Sequence, residues 1–99
     1  MKHKETKATS IPNEVKLIVF SRDKGRCVIC GAPGLPEAHF IRRSQGGLGI
    51  EQNIVTLCRP CHYEFDEGKK HREYKEKIRA YLNEFYPDFN DYDRVYHKY

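Results

Sequence analysis

The sequence predicts a small α+β domain held together by a metal rather than by a large core. Cys27 and Cys30 form one C-x-x-C pair and Cys58 and Cys61 a second, a spacing at which thiolates take up zinc. Between the pairs lie two short segments of strand character, "EAHFIRR" and "NIVTLC", with helical patterns on either side. A chain of 99 residues buries only roughly 60–65% of its extended surface on folding, so its core is thin and an internal staple is expected.

Hydrophobic residues make up 38% and charged residues 32% of the chain, and no apolar run reaches the length that spans a bilayer. The run "VKLIVF" is short and interrupted by Lys16, unlike the apolar region of a secretory signal. The sequence therefore predicts an intracellular protein with no membrane partner. In a reducing compartment paired cysteines hold a metal more readily than a disulfide, a redox dithiol being the competing use. Formal net charge is +4, and zinc on four thiolates would add about two negative charges. Such a balance permits nucleic acid as a partner without demanding it.

Residues 1–10, "MKHKETKATS", are basic and polar and read as a mobile basic arm. Pro12 and Asn13 suit a helix start, Val15, Leu17, Ile18, Val19 and Phe20 supply apolar contacts, and Gly25 ends the run, which predicts a helix near 12–23. "CVICGAPG" has the turn chemistry of a metal knuckle. Phe40 and Ile41 belong to the first strand, and "SQGGLGIEQ" is a long glycine-rich loop to the second. Gly46, Gly47 and Gly49 either shape that loop or let it approach a nucleic acid backbone.

"HYEFDEG" predicts a helix that begins at the second cysteine pair and stops at Gly68. Tyr74, Ile78, Tyr81, Leu82 and Phe85 mark another over about residues 70–86. Its lysines and arginines make one side basic, which reads either as a solvated face or as a phosphate contact. Pro87 closes this helix, and residues 87–99 are an aromatic and acidic extension without a clear period. The domain proper therefore spans 11–86, with its motif core at 20–66.

Four thiolates from Cys27, Cys30, Cys58 and Cys61 would fill a tetrahedral zinc shell, leaving no open position, so this site serves folding. His62 follows Cys61 directly and Asp66 lies four residues on, on the same helical face. Alone, such a pair is more often a surface hydrogen bond; as ligands, an imidazole and a carboxylate suit Mg²⁺, Mn²⁺, Ni²⁺ or Zn²⁺ with open positions. Arg42 and Arg43, three and four residues after His39, carry guanidinium groups that can each hold two oxygens of a phosphate.

The order Cys27, Cys30, His39, Gly46, Gly47, Asn53, Cys58, Cys61, His62, in "CVIC" and "AHFIRRSQGGLGIEQNIVTLCRPCH", resembles the zinc-containing HNH endonucleases, which are frequent in phages and mobile elements. The resemblance covers about residues 20–66. It implies a ββα-metal (His-Me finger) fold in which two strands and a helix grip one catalytic divalent ion. It further implies DNA, double-stranded, as substrate, cut to 5′ phosphate and 3′ hydroxyl ends. His39 matches the general base, Asn53 the middle asparagine, which would orient the His39 ring, and His62 the last histidine. Asp66 matches a position that carries a metal-binding histidine in colicin-type nucleases, and Arg43 a frequent arginine. The chain departs from the pattern at Ala38, where many members have a ligand just before the base. Two other readings stay open: a DNA-binding zinc module that has lost catalysis, and a zinc ribbon that binds a protein partner or a second copy through its aromatic C-terminal segment.

Overall fold

The computed structural model describes residues 4–97. Along them run α1 (Lys4–Thr9), α2 (Asn13–Arg22), β1 (Leu35–His39), β2 (Ile54–Leu57), α3 (Arg59–Asp66) and α4 (His71–Phe85). Single 3-10 turns at Arg43–Gln45 and Asp91–Arg94 complete the order. No helix among the described residues is long and apolar enough to cross a membrane.

α2 starts after the extended Pro12 and stops where Lys24 (φ 57°) and Gly25 (φ 67°) turn left-handed. A side chain at residue 25 would press into the Phe20 ring, so glycine is required there twice over. Only Val19 of this helix is fully buried, while Leu17 is 71% exposed and Ile18 and Phe20 also face solvent. The expected apolar face is narrower than the composition suggested, because consecutive apolar residues cannot share one face at 3.6 residues per turn. What fastens the helix is its end. Arg22 and Asp23 form a buried bidentate pair at 2.7 and 3.1 Å. Arg22 donates onward to the Glu51 and Ile54 carbonyls, and Asp23 accepts from the Thr56 amide and the Tyr81 hydroxyl.

β1 and β2 pair antiparallel, with Ala38 opposite Val55 and His39 opposite Ile54, and an irregularity between Leu35 and Ala38. Pleating sends Pro36 and Ala38 inward and Leu35 and Glu37 outward, while every residue of β2 is buried. The first strand ends at His39, so Phe40 and Ile41, expected within it, lie just beyond as buried core residues. α3 lays Cys61 and Phe65 on the sheet, and α4 covers it with Tyr74, Ile78 and Leu82 at helical spacing.

Both chain ends depart from expectation. Residues 4–9, read as part of a mobile basic arm, are helical, and Thr9 is 3% exposed; residues 1–3 lie outside the described residues. The reason is backbone docking: the Ala8 carbonyl accepts from the Gly49 amide at 3.0 Å. At the other end, Gly47 bridges Val95 and the Tyr96 amide bonds the Gly46 carbonyl. The acidic and aromatic extension is thus stitched onto the loop between the strands, and its most buried residue is Arg94, not a tyrosine.

Candidate functional site

Two sites are assembled by these elements around α3. Cys27 and Cys30 sit in the turn after α2, Cys58 caps α3, and Cys61 enters its first turn. All four Sγ atoms lie within 4.8 Å of one another, and Cys30 and Cys58 are 3.5 Å apart. A tetrahedral zinc with bonds of about 2.3 Å sets its sulfurs roughly 3.8 Å apart, so these residues fit a closed zinc shell. Burial pushes the Cys27 thiol up, but amides of Cys58, Cys30 and Ile29 outweigh it and bring its pKa to about 7. Burial and the neighbouring thiols push Cys61 far up. The cluster thus does not ionise as a set at neutral pH without a cation to hold it.

Beside the neighbouring His62–Asp66 stripe of the helix is an open cleft of about 370 Å³, lined by Glu37, His39, Arg42, Arg43, Ser44, His62, Asp66 and Glu67. His39 arrives from the end of β1, the two arginines from the loop that follows, and His62 and Asp66 from one face of α3. His62 Nε2 and Asp66 Oδ2 are 3.1 Å apart, with side chains 35% and 40% exposed. One nitrogen and one carboxylate fit a divalent ion that keeps open positions. Among the described residues, the four cysteines are the only set of three or more ligating side chains close enough to share an ion.

His39 Nε2 lies 2.8 Å from the Thr9 carbonyl. A carbonyl can only accept, so Nε2 carries the hydrogen and, in the neutral ring, Nδ1 is the basic nitrogen. Burial lowers the His39 pKa below its ordinary 6.5, and the charges of Arg43 and His62 act in the same direction, against the Thr9 bond and Asp66. The arginines are tethered too. Arg42 donates to the Asp66 carbonyl at 2.7 Å, and Arg43 reaches Ser10 Oγ at 3.2 Å, Thr9 Oγ1 at 3.4 Å and the Thr6 carbonyl at 3.5 Å.

Three expectations about this region change. Asn53 does not orient the His39 ring: it is fully buried, accepts from the Ile41 amide at 2.9 Å, and donates to the Ile41 and Leu48 carbonyls. It clamps the two ends of the long loop together, while the ring is held by Thr9. Gly47 and Gly49 approach protein rather than leave room for a nucleic acid backbone, since a Cβ there would collide with the Ile41 and Ser10 carbonyls. Finally, residue 38 faces the core, where Ala38 is fully buried; Glu37 is the neighbour of His39 that lines the cleft.

The structure therefore brings His39, His62, Asp66, Arg42 and Arg43 to one cleft and leaves Asn53 behind it. Glu37 could have been found from strand alternation with His39. Thr9 could not, because it acts through a main-chain oxygen that every residue possesses.

The family described as HNH endonuclease matches residues 27–65, a span that takes in both cysteine pairs, His39, Asn53 and His62 and stops one residue short of Asp66. No curated protein matches the chain. The matched span coincides with the sheet, the cysteine cluster and all but the last residue of α3; over residues 27–65 this chain is similar to the HNH endonuclease family.

Proposed function

We propose that the chain is a metal-dependent DNA endonuclease, with His39 as general base and one divalent ion held by His62 and Asp66. The observation that carries this reading is convergence: a base with a fixed tautomer, a His–Asp pair and two guanidinium groups share one cleft. Arg42 and Arg43 hold the non-bridging oxygens of a phosphodiester. His39 Nδ1 accepts a proton from the water that attacks phosphorus, and the bond to the 3′ oxygen breaks as the new one forms. An ion bound at His62 and Asp66 would supply positive charge to offset that developing on the departing oxygen. Asn53 acts at one remove, by closing the loop that carries the arginines, and the four-cysteine site holds a zinc ion that serves folding alone.

A DNA-binding module without turnover is the competing reading. One observation favours it: among the described residues no third ligating side chain lies close enough to His62 and Asp66 to share an ion, so any ion there must complete its shell from water and substrate. Cleavage of supercoiled plasmid with Mg²⁺, Mn²⁺, Ni²⁺, Zn²⁺ or no added ion separates the two. The endonuclease nicks plasmid in an ion-dependent way, and His39→Ala lowers the rate by about 10²- to 10⁴-fold with zinc content and circular dichroism unchanged. Plasmid left intact with every ion, yet retarded on a gel, would establish the binding module instead.

A further inference from the structure

Three cations crowd a single aromatic ring beside the cleft. Phe40, the residue after His39, is fully buried. Lys75 Nζ lies 4.1 Å from its ring centroid, Arg79 Cζ 5.0 Å and Arg94 Cζ 5.4 Å. Lys75 and Arg79 stand one turn apart on α4 and are half-buried, while Arg94 beneath them is 1% exposed. Among the described residues Asp91 is the one carboxylate in ion-pair contact with any of the three, at 3.0 Å from Arg79 and 3.1 Å from Arg94, and none pairs with Lys75. Arg94 also has a buried nitrogen, Nη2, without a hydrogen-bond partner.

This is not how a solvated helix face disposes of its charges. Lysine and arginine on such a face extend their heads into water, and buried charges are ordinarily paired. Here Lys75 instead folds back, donating to the Phe40 carbonyl at 2.8 Å. Burial lowers its pKa, Asp91 opposes that, and the charges of Arg79, Arg42 and Arg94 lower it again. Positive charge is therefore held together in excess. It is also continuous with the cleft, because Arg42, two residues beyond Phe40, lines the cleft wall.

We infer that Lys75 and Arg79, backed by Arg94, form a second phosphate site, which grips the DNA backbone at a phosphate other than the one being cut. The ligand is a phosphodiester monoanion, met by the free N–H groups of Lys75 and by the part of the Arg79 guanidinium that Asp91 does not occupy. No base-reading group takes part, so the contact is independent of sequence and weakens with salt. The inference rests on the reading of the chain as a DNA-acting protein, but not on turnover. The site lies outside the matched span, on a helix that the HNH core does not include.

The test is fluorescence anisotropy of a labelled DNA duplex with full-length His39→Ala protein, without added divalent ion, across a potassium chloride series. Lys75→Gln and Arg79→Gln should each weaken binding by roughly 3- to 10-fold and reduce the slope of log K against log salt by about 1. Asp91→Asn, which removes the competing carboxylate, should tighten binding by about threefold. A merely structural ion pair would give no such gain. Unchanged affinity and slope in both glutamine variants would overturn the second site while leaving the nuclease reading intact, as would an Asp91→Asn protein that folds but binds no tighter. Absence of duplex binding by the His39→Ala parent would overturn both.

Discussion

A histidine that donates to a carbonyl has only its other nitrogen with which to accept a proton. His39 is in that position, and its burial makes the charged ring unfavourable. Because its pKa is lowered, the ring is neutral above that value and is lost as a base only when pH falls through it. The acid limb of kcat/KM for plasmid cleavage should therefore lie below pH 6.5, the ordinary histidine value. An acid limb above 6.5 would show that another group limits the reaction. Residue 38 gives a second test at this scale. A carboxylate placed there would not supply a missing ligand, because the side chain enters the core beside Val55. Ala38→Asp should cost roughly 3–5 kcal/mol and abolish the urea-unfolding baseline of the native protein; an Ala38→Asp variant that folds normally and cleaves faster would contradict the strand orientation. At this scale most of the cleft was legible through the resemblance that orders His39, Arg43, His62 and Asp66, because side-chain type and spacing alone fit a structural histidine and a surface hydrogen bond equally well. Asn53 was legible as a position and not as a partner, since one amide can serve a ring or a loop equally well.

Helices were legible to within a residue or two where an apolar rhythm marks a buried face, as Tyr74, Ile78 and Leu82 do for α4. Where attachment runs through the backbone or through charge, the rhythm is missing. α1 carries no apolar stripe and docks by its Ala8 and Thr9 carbonyls, so its sequence reads as an arm. α2 offers too many apolar residues for the one, Val19, that it fully buries, and is fixed instead by Arg22 and Asp23. That pair sustains a network joining α2, β2 and α4. Asp23→Ala would leave the Arg22 guanidinium buried without its counter-ion and should cost about 3–5 kcal/mol in urea unfolding. Asp23→Asn, which still offers an acceptor oxygen, should cost less. Equal, small losses in both variants would mean that α2 is held by apolar packing after all.

At the scale of the whole molecule, stability must come from something other than core size. The hairpin and its long loop lie between Cys30 and Cys58, 28 positions apart in sequence, and the cysteine cluster closes that segment at its base. Arg94 performs a similar closure from the C-terminal side, donating to the Gln52 carbonyl at 2.7 Å, a link that no sequence period announces. The paired C-x-x-C spacing made the first closure readable, and the absence of any spacing rule for a buried arginine hid the second. Two kinds of metal dependence should follow. Withholding the divalent ion used for cleavage should leave the fold unchanged, because His62 and Asp66 are part-exposed on an already formed helix. Stripping zinc with a strong chelator, or replacing Cys58 by serine, should unfold the domain, since four converging thiols lose their shared cation. Thiol protons compete with zinc, and the Cys61 thiol holds its proton far above the ordinary range, so zinc retention should fall as pH falls. Circular dichroism recorded alongside zinc release to a colorimetric indicator checks this. Helical signal and zinc should disappear together, at a higher pH with added chelator than without, whereas a protein emptied of zinc with its helical signal intact would show that the core suffices without the staple.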